Sequence, residues 1–238
     1  MKTHQLSFQG RASSGLIRLV DALPLMLSVG FLAASSCVAD SVASPSSGWT
    51  LTGSLNVPRA GHTATLLADG SVLVAGGYTI GGMNAGAEIY DPITGMWTAT
   101  GNMSKGRSSH AAVLLEIGEV LVAGTDAPPN ETADVYNPTT GAWMLTGNLP
   151  IAVQQTTLTL LSDGKAIVAG GLNPDGVSHD STIYDPLTGT WAAAEHVNGD
   201  HGFQTTATRL LDGRVLLVGG FDDSFMPIAN VDLYQPAD

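Results

Sequence analysis

Arginine and histidine stand three residues apart in two places, Arg59-x-x-His62 and Arg107-x-x-His110. A guanidinium is a planar fork of donors that matches a carboxylate, and an imidazole can donate, accept or move a proton near neutral pH. Brought together, the four side chains could receive a carboxylate or a sugar acid through bidentate hydrogen bonds. With Glu88 or Asp222 beside them they could serve as acid and base on a sugar. The aligned positions later in the chain are Val153 and Thr156, then Gly202 and Thr205, so only two of four copies carry the pattern. Asp222 and Asp223 are further ligand candidates, and with Asp175 and Asp180 they offer weak calcium donors. They lack the alternating acidic spacing of a high-affinity calcium loop. His179, His196 and His201 show no metal-ligand spacing, so no metal or other cofactor is expected. No Gly-x-Ser-x-Gly motif and no phosphate-binding loop is present.

Those residues sit in a repeat. Tyr90, Tyr136, Tyr184 and Tyr234 are 46, 48 and 50 residues apart, in AEIYDPITGMW, ADVYNPTTGAW, STIYDPLTGTW and VDLYQPAD. A period of that length means stacked supersecondary units. Each unit opens with a stretch such as HTATLL (62–67) or HAAVLL (110–115). A short apolar run follows: VLVAGG (72–77), VLVAGT (120–125), AIVAGG (166–171) or VLLVGG (215–220). Then come a tyrosine segment and a tryptophan segment. Asp69-Gly70, Asp163-Gly164 and Asp212-Gly213 predict tight hairpins between the first two parts, because such turns need positive φ. Pro-x-Thr-Gly turns at 92–95, 138–141 and 186–189 join the last two. The reading is a four-stranded antiparallel meander per repeat. Its second strand, apolar throughout, is expected to be buried on both faces, as when sheets pack radially against one another.

The diglycines Gly76-Gly77, Gly170-Gly171 and Gly219-Gly220, each followed by a tyrosine and (in three repeats) a tryptophan seven residues after it, resemble the kelch motif. The tyrosine–tryptophan pairs are Tyr90 and Trp97, Tyr136 and Trp143, and Tyr184 and Trp191; Tyr234 has no tryptophan after it. The second repeat departs from the pattern with Gly124-Thr125. The resemblance implies a β-propeller in which the tyrosines and tryptophans pack between neighbouring blades. It also implies that arginine and histidine before the first strand tie blades together, which competes with the ligand reading above. Galactose-oxidase-like kelch enzymes use a tyrosine cross-linked to a cysteine. The repeats contain no cysteine, so that copper cofactor is not expected.

The expected fold is all-β: a propeller of four four-stranded antiparallel blades, with repeats at about 58–103, 104–149, 150–197 and 198–238. Trp49 precedes the first repeat and the last repeat lacks a tryptophan strand. GWTLTGSL (48–55) is therefore expected to close the ring by pairing with the last blade, residues 48–57 completing it. An open arc, a partial gene product, or two chains sharing a larger ring remain alternatives.

Residues 1–39 read as a signal peptide, with Lys2, Arg11 and Arg18 ahead of a 13-residue apolar core at 22–34. That core is too short for a membrane span. Residues 40–47 form a linker and 48–238 the propeller. Cys37, the only cysteine, is a candidate lipidation residue, so a lipid anchor is an alternative to free export. The whole chain carries a net charge of −12; without residues 1–39 it has 6 basic against 20 acidic residues, or −14. Such a body has no electrostatic reason to bind nucleic acid. The expected location is periplasmic, cell-surface or extracellular. The connections at 78–87, 126–132, 172–180 and 221–230 differ among repeats while the opposite turns are uniform, so the varied end is the expected binding face. The first reading of function is a non-catalytic module binding a protein, peptide or glycan. The second is a small carbohydrate-active enzyme, epimerase- or mutarotase-like, with the Arg/His residues at its axis.

Overall fold

The computed structural model describes residues 48–124 and 131–236. The expected signal segment, the linker, Cys37 and residues 126–130 of the second varied loop lie outside the described residues. The chain divides into two compact units, Met1–Gly48 and Trp49–Asp238, and all of the repeats belong to the second.

Every regular element among the described residues is a strand, and none is a helix long and apolar enough to cross a membrane. The first repeat gives β1 (Thr63–Leu66), β2 (Val72–Ala75), a two-rung ribbon of β3 (Tyr78–Thr79) and β4 (Gly82–Met83), then β5 (Ala87–Asp91) and β6 (Met96–Ala99). The second gives β7 (Ala111–Leu114), β8 (Val120–Ala123), β9 (Ala133–Asn137) and β10 (Ala142–Leu145). The third gives β11 (Thr157–Leu160), β12 (Ala166–Ala169), the ribbon β13 (Leu172–Asn173) and β14 (Gly176–Val177), then β15 (Ser181–Asp185) and β16 (Thr190–Ala193). The fourth gives β17 (Thr206–Arg209), β18 (Val215–Val218) and β19 (Val231–Tyr234).

The main strands form antiparallel meanders, β1-β2-β5-β6, β7-β8-β9-β10, β11-β12-β15-β16 and β17-β18-β19. Their first strands pack side by side in chain order: β1 on β7, β7 on β11, β11 on β17. Apolar cores fill the three spaces between sheets. Leu73 and Ala75 meet Val120 and Val122; Leu121 and Ala123 meet Ala166 and Val168; Ile167 meets Val215. Alternate residues of each second strand thus serve opposite faces, which is why those strands read as unbroken apolar runs. Tyrosine and tryptophan pair across the last two strands of each complete sheet, with ring centroids 5.0, 5.0 and 5.1 Å apart. The diglycines are required locally. Gly76 and Gly77 have φ of 68° and 95°. A Cβ on Gly76 would lie 2.6 Å from the Arg107 carbonyl oxygen and 2.7 Å from the His110 ring.

The expected closure is corrected. Among the described residues the last sheet has three strands, and residues 48–55 do not pair with it. Gly53 N–H donates to the Gly95 carbonyl (3.1 Å) and Trp97 Nε1 donates to the Gly53 carbonyl (2.9 Å). Gly101 and Gly147 donate in the same way to Gly141 and Gly189 of the sheets that follow them. Residues 52–57 are thus another copy of the inter-sheet connection, and a connection bonds to the sheet it leads into. That binds them to the first sheet and leaves Trp49 and Leu51 fully exposed.

Candidate binding face

The connections that carry Arg59 and Arg107 run into the first strand of the next sheet, and each faces the second residue of a third strand. Arg59 meets Glu88 at 2.7 Å and Arg107 meets Asp134 at 2.6 Å; all four side chains are buried. Arg59 also donates to the carbonyls of Val57, Gly76 and Gly86. Arg107 is fully engaged, through Asp134, the carbonyls of Gly124 and Thr132, and the Thr132 hydroxyl. Burial alone would raise the Glu88 carboxyl. Hydrogen bonds from the Asn56 backbone, from Arg59 and from the Asn56 side chain outweigh it and hold the group below its ordinary range.

The same place in the fourth repeat is filled by His201, not by Gly202 as the alignment of the sequence has it. His201 Nε2 lies 3.2 Å from Asp232, and the His201 carbonyl accepts from Gly171 as that of Arg107 accepts from Gly77. Four residues separate His201 from Thr205 where three separate Arg59 from His62, and that insertion hid the match. Burial would raise the Asp232 carboxyl, but the Gly199 N–H, Asn198 and His201 together lower it. In the third repeat both partners change at once, to Val153 and Thr182. Cation and carboxylate are exchanged as a pair, as expected when an unpaired buried charge is costly.

His110 is buried, with its Nε2 3.0 Å from the Thr63 hydroxyl on the neighbouring first strand; its Nδ1 has no hydrogen-bond partner among the described residues. Burial, then the charges of Arg107 and His62, push its pKa down to about 3. It is a neutral wedge at physiological pH. His62, its counterpart in the first repeat, is exposed. Asp222 accepts from the backbone N–H groups of Ser224 and Met226, and Asp223 accepts from that of Val177 at 2.7 Å. Both shape the fourth-repeat loop and dock it on the β13–β14 ribbon. The six candidate ligand residues are therefore not gathered into one site: Asp222 and Asp223 are in the fourth repeat, and the Arg/His set of the first two repeats is open to solvent only at His62. No group of three metal-ligating side chains is present among the described residues.

The end of the sheets that carries the varied loops offers other chemistry, which the sequence did not announce. Just before the first strands, Ser109, Gln155 and Gln204 hold φ of 51°, 51° and 60°, and Gly61 takes the equivalent place at 64°. A left-handed backbone costs a residue with a side chain about 1–2 kcal/mol, and three repeats keep it without glycine. Ser109 N–H donates to the Gly61 carbonyl, so this row links neighbouring repeats. Beyond it Phe203 stacks on Phe221 at 4.5 Å and meets Phe225 at 5.5 Å. Phe225 itself has φ of 58° and stays exposed, as do Tyr78, Ile80 and Met226.

No protein-family model matches the chain, and no curated protein does. Among solved structures it is similar to one titled "Structure of YjhT", at 18% identity and a TM-score of 0.61, over 73% of this chain. The chain spans 64% of the length of that structure. At this identity the likeness concerns the fold alone.

Proposed function

We propose that this chain is an exported kelch-type propeller module whose loop end binds a glycan, peptide or protein without transforming it. The observation that carries this is the row of Ser109, Gln155 and Gln204. Costly backbone conformations held at equivalent places mark functional sites. Here they set hydroxyl and amide groups beside exposed aromatic rings, a combination suited to neutral polar ligands. The enzymatic reading draws no support from the Arg/His residues. Arg59 and Arg107 are locked in buried ion pairs, and a histidine titrating near pH 3 is a poor base at neutral pH.

A glycan and peptide array probed with the chain tests the proposal. A bound class is expected, with at least tenfold weaker binding in a Gln155→Ala, Gln204→Ala, Phe225→Ala triple variant and full binding in His62→Ala. Binding indifferent to the triple change, or a blank array, counts against it.

A further inference from the structure

Two parts of this chain fit each other and are apart. Trp49-Thr50-Leu51-Thr52-Gly53 repeats Trp97-Thr98-Ala99-Thr100-Gly101, and the tryptophans of 97, 143 and 191 all lie on the fourth strand of a sheet. Trp49 is thus a fourth-strand residue with no sheet, and its indole is fully exposed. The last sheet is a sheet with no fourth strand among the described residues. Tyr234 sits where Tyr90, Tyr136 and Tyr184 sit, yet has no tryptophan beside it. In the earlier spaces between sheets, Trp143 and Trp191 pack against the core; the space between the third and fourth sheets has no such ring and the smallest core. A cleft of about 260 Å³ opens there instead, bordered by Ile167, Ala207, Val215, Leu217, Tyr234 and Glu195. It is walled mostly by carbon and lies beside β19, where a fourth strand would run.

The outer face of the last sheet is open as well. Val218, Val231 and Leu233 are 38%, 56% and 44% exposed, whereas Ala75 and Ala123, which hold the place of Val218 on the first two second strands, are sealed by the next sheet. Residues 52–57 are bonded to the first sheet, and β17 does not pack on β1 as the other first strands pack on each other. The free strand therefore leaves from one end of the row while its acceptor stands at the other.

We propose that a second copy of this chain joins head to tail: residues 49–51 of one copy pair with β19 of the next, and Trp49 enters the cleft beside Tyr234. The contact is heterologous, so it either closes a ring or propagates. Like-charged copies repel, which favours measurement at about 0.15 M salt, where screening acts within about 8 Å.

The test is the mass of the whole chain by light scattering. The expected result is a mass of two or more chains for the wild type, and of one chain for Trp49→Ser and for Val231→Asp, each with unchanged circular dichroism. Trp49→Ser keeps the acceptor and Val231→Asp keeps the strand, so mixing the two should restore a two-chain species. Because Trp49 is fully exposed, its replacement does not threaten the fold. A one-chain mass for the wild type overturns the proposal, including the case in which Trp49 closes its own last sheet. So does an assembly unmoved by Trp49→Ser, or single variants that fail to complement.

Discussion

His110 makes the stability of this protein depend on pH in a way that can be worked out from its surroundings. The ring is wedged between Arg107, His62 and Thr63, and its pKa falls from 6.5 to about 3. The unfolded chain then binds a proton that the folded chain refuses at any pH between those values. The stability tied to the neutral ring is complete above about pH 6.5 and is lost as the pH falls toward 3. At about 1.4 kcal/mol per pH unit of difference the whole effect approaches 5 kcal/mol. At pH 5, where the unfolded side chain is almost fully protonated, the loss is about 2 kcal/mol. Threonine is the natural replacement, because Thr156 and Thr205 hold the equivalent positions. Urea unfolding followed by tryptophan fluorescence at pH 7.5 and pH 5 gives the comparison. The wild type should lose about 2 kcal/mol more than His110→Thr over that interval. Equal losses in the two proteins would refute the buried, neutral histidine.

Two further outcomes come from the packing. Asp134→Thr alone strands the buried Arg107 and should cost about 3–5 kcal/mol. Adding Arg107→Val, which copies the Val153 and Thr182 of the third repeat, should recover at least about 2 kcal/mol relative to the sum of the single changes in a double-mutant cycle. Gly76→Ala places a Cβ against the Arg107 carbonyl and should destabilise by more than about 2 kcal/mol, whereas Gly70→Ala, with open space around it, should cost about 1 kcal/mol for its φ alone. Both are read from thermal or urea unfolding.

Much of the fold was legible because the period of the tyrosines and the unbroken apolar second strands leave little choice of architecture. The Arg-x-x-His pattern was visible too, but its meaning lay 27 to 29 residues downstream, at Glu88 and Asp134, in another part of the repeat. Comparing the repeats with one another holds the missing signal, since positions 59 and 88 change together with 107 and 134, 153 and 182, and 201 and 232. The row at Ser109, Gln155 and Gln204 could not be read, because serine and glutamine carry no mark of positive φ. Residues 49–51 were identified correctly as a fourth-strand sequence. Their sheet was misassigned because sequence fixes the type of an edge and not which edge lies within reach.

The central claim is that ligand is held at the loop end while the buried pairs only fasten sheet to sheet. Hydrogen exchange of the chain with and without the strongest array ligand tests this most directly. Slower exchange is predicted at 78–86, 172–180, 221–230 and around Ser109, Gln155 and Gln204, with the Pro-x-Thr-Gly turns unchanged. Protection confined to those turns, or centred on Arg59 and Arg107 with the loops unaffected, would contradict it.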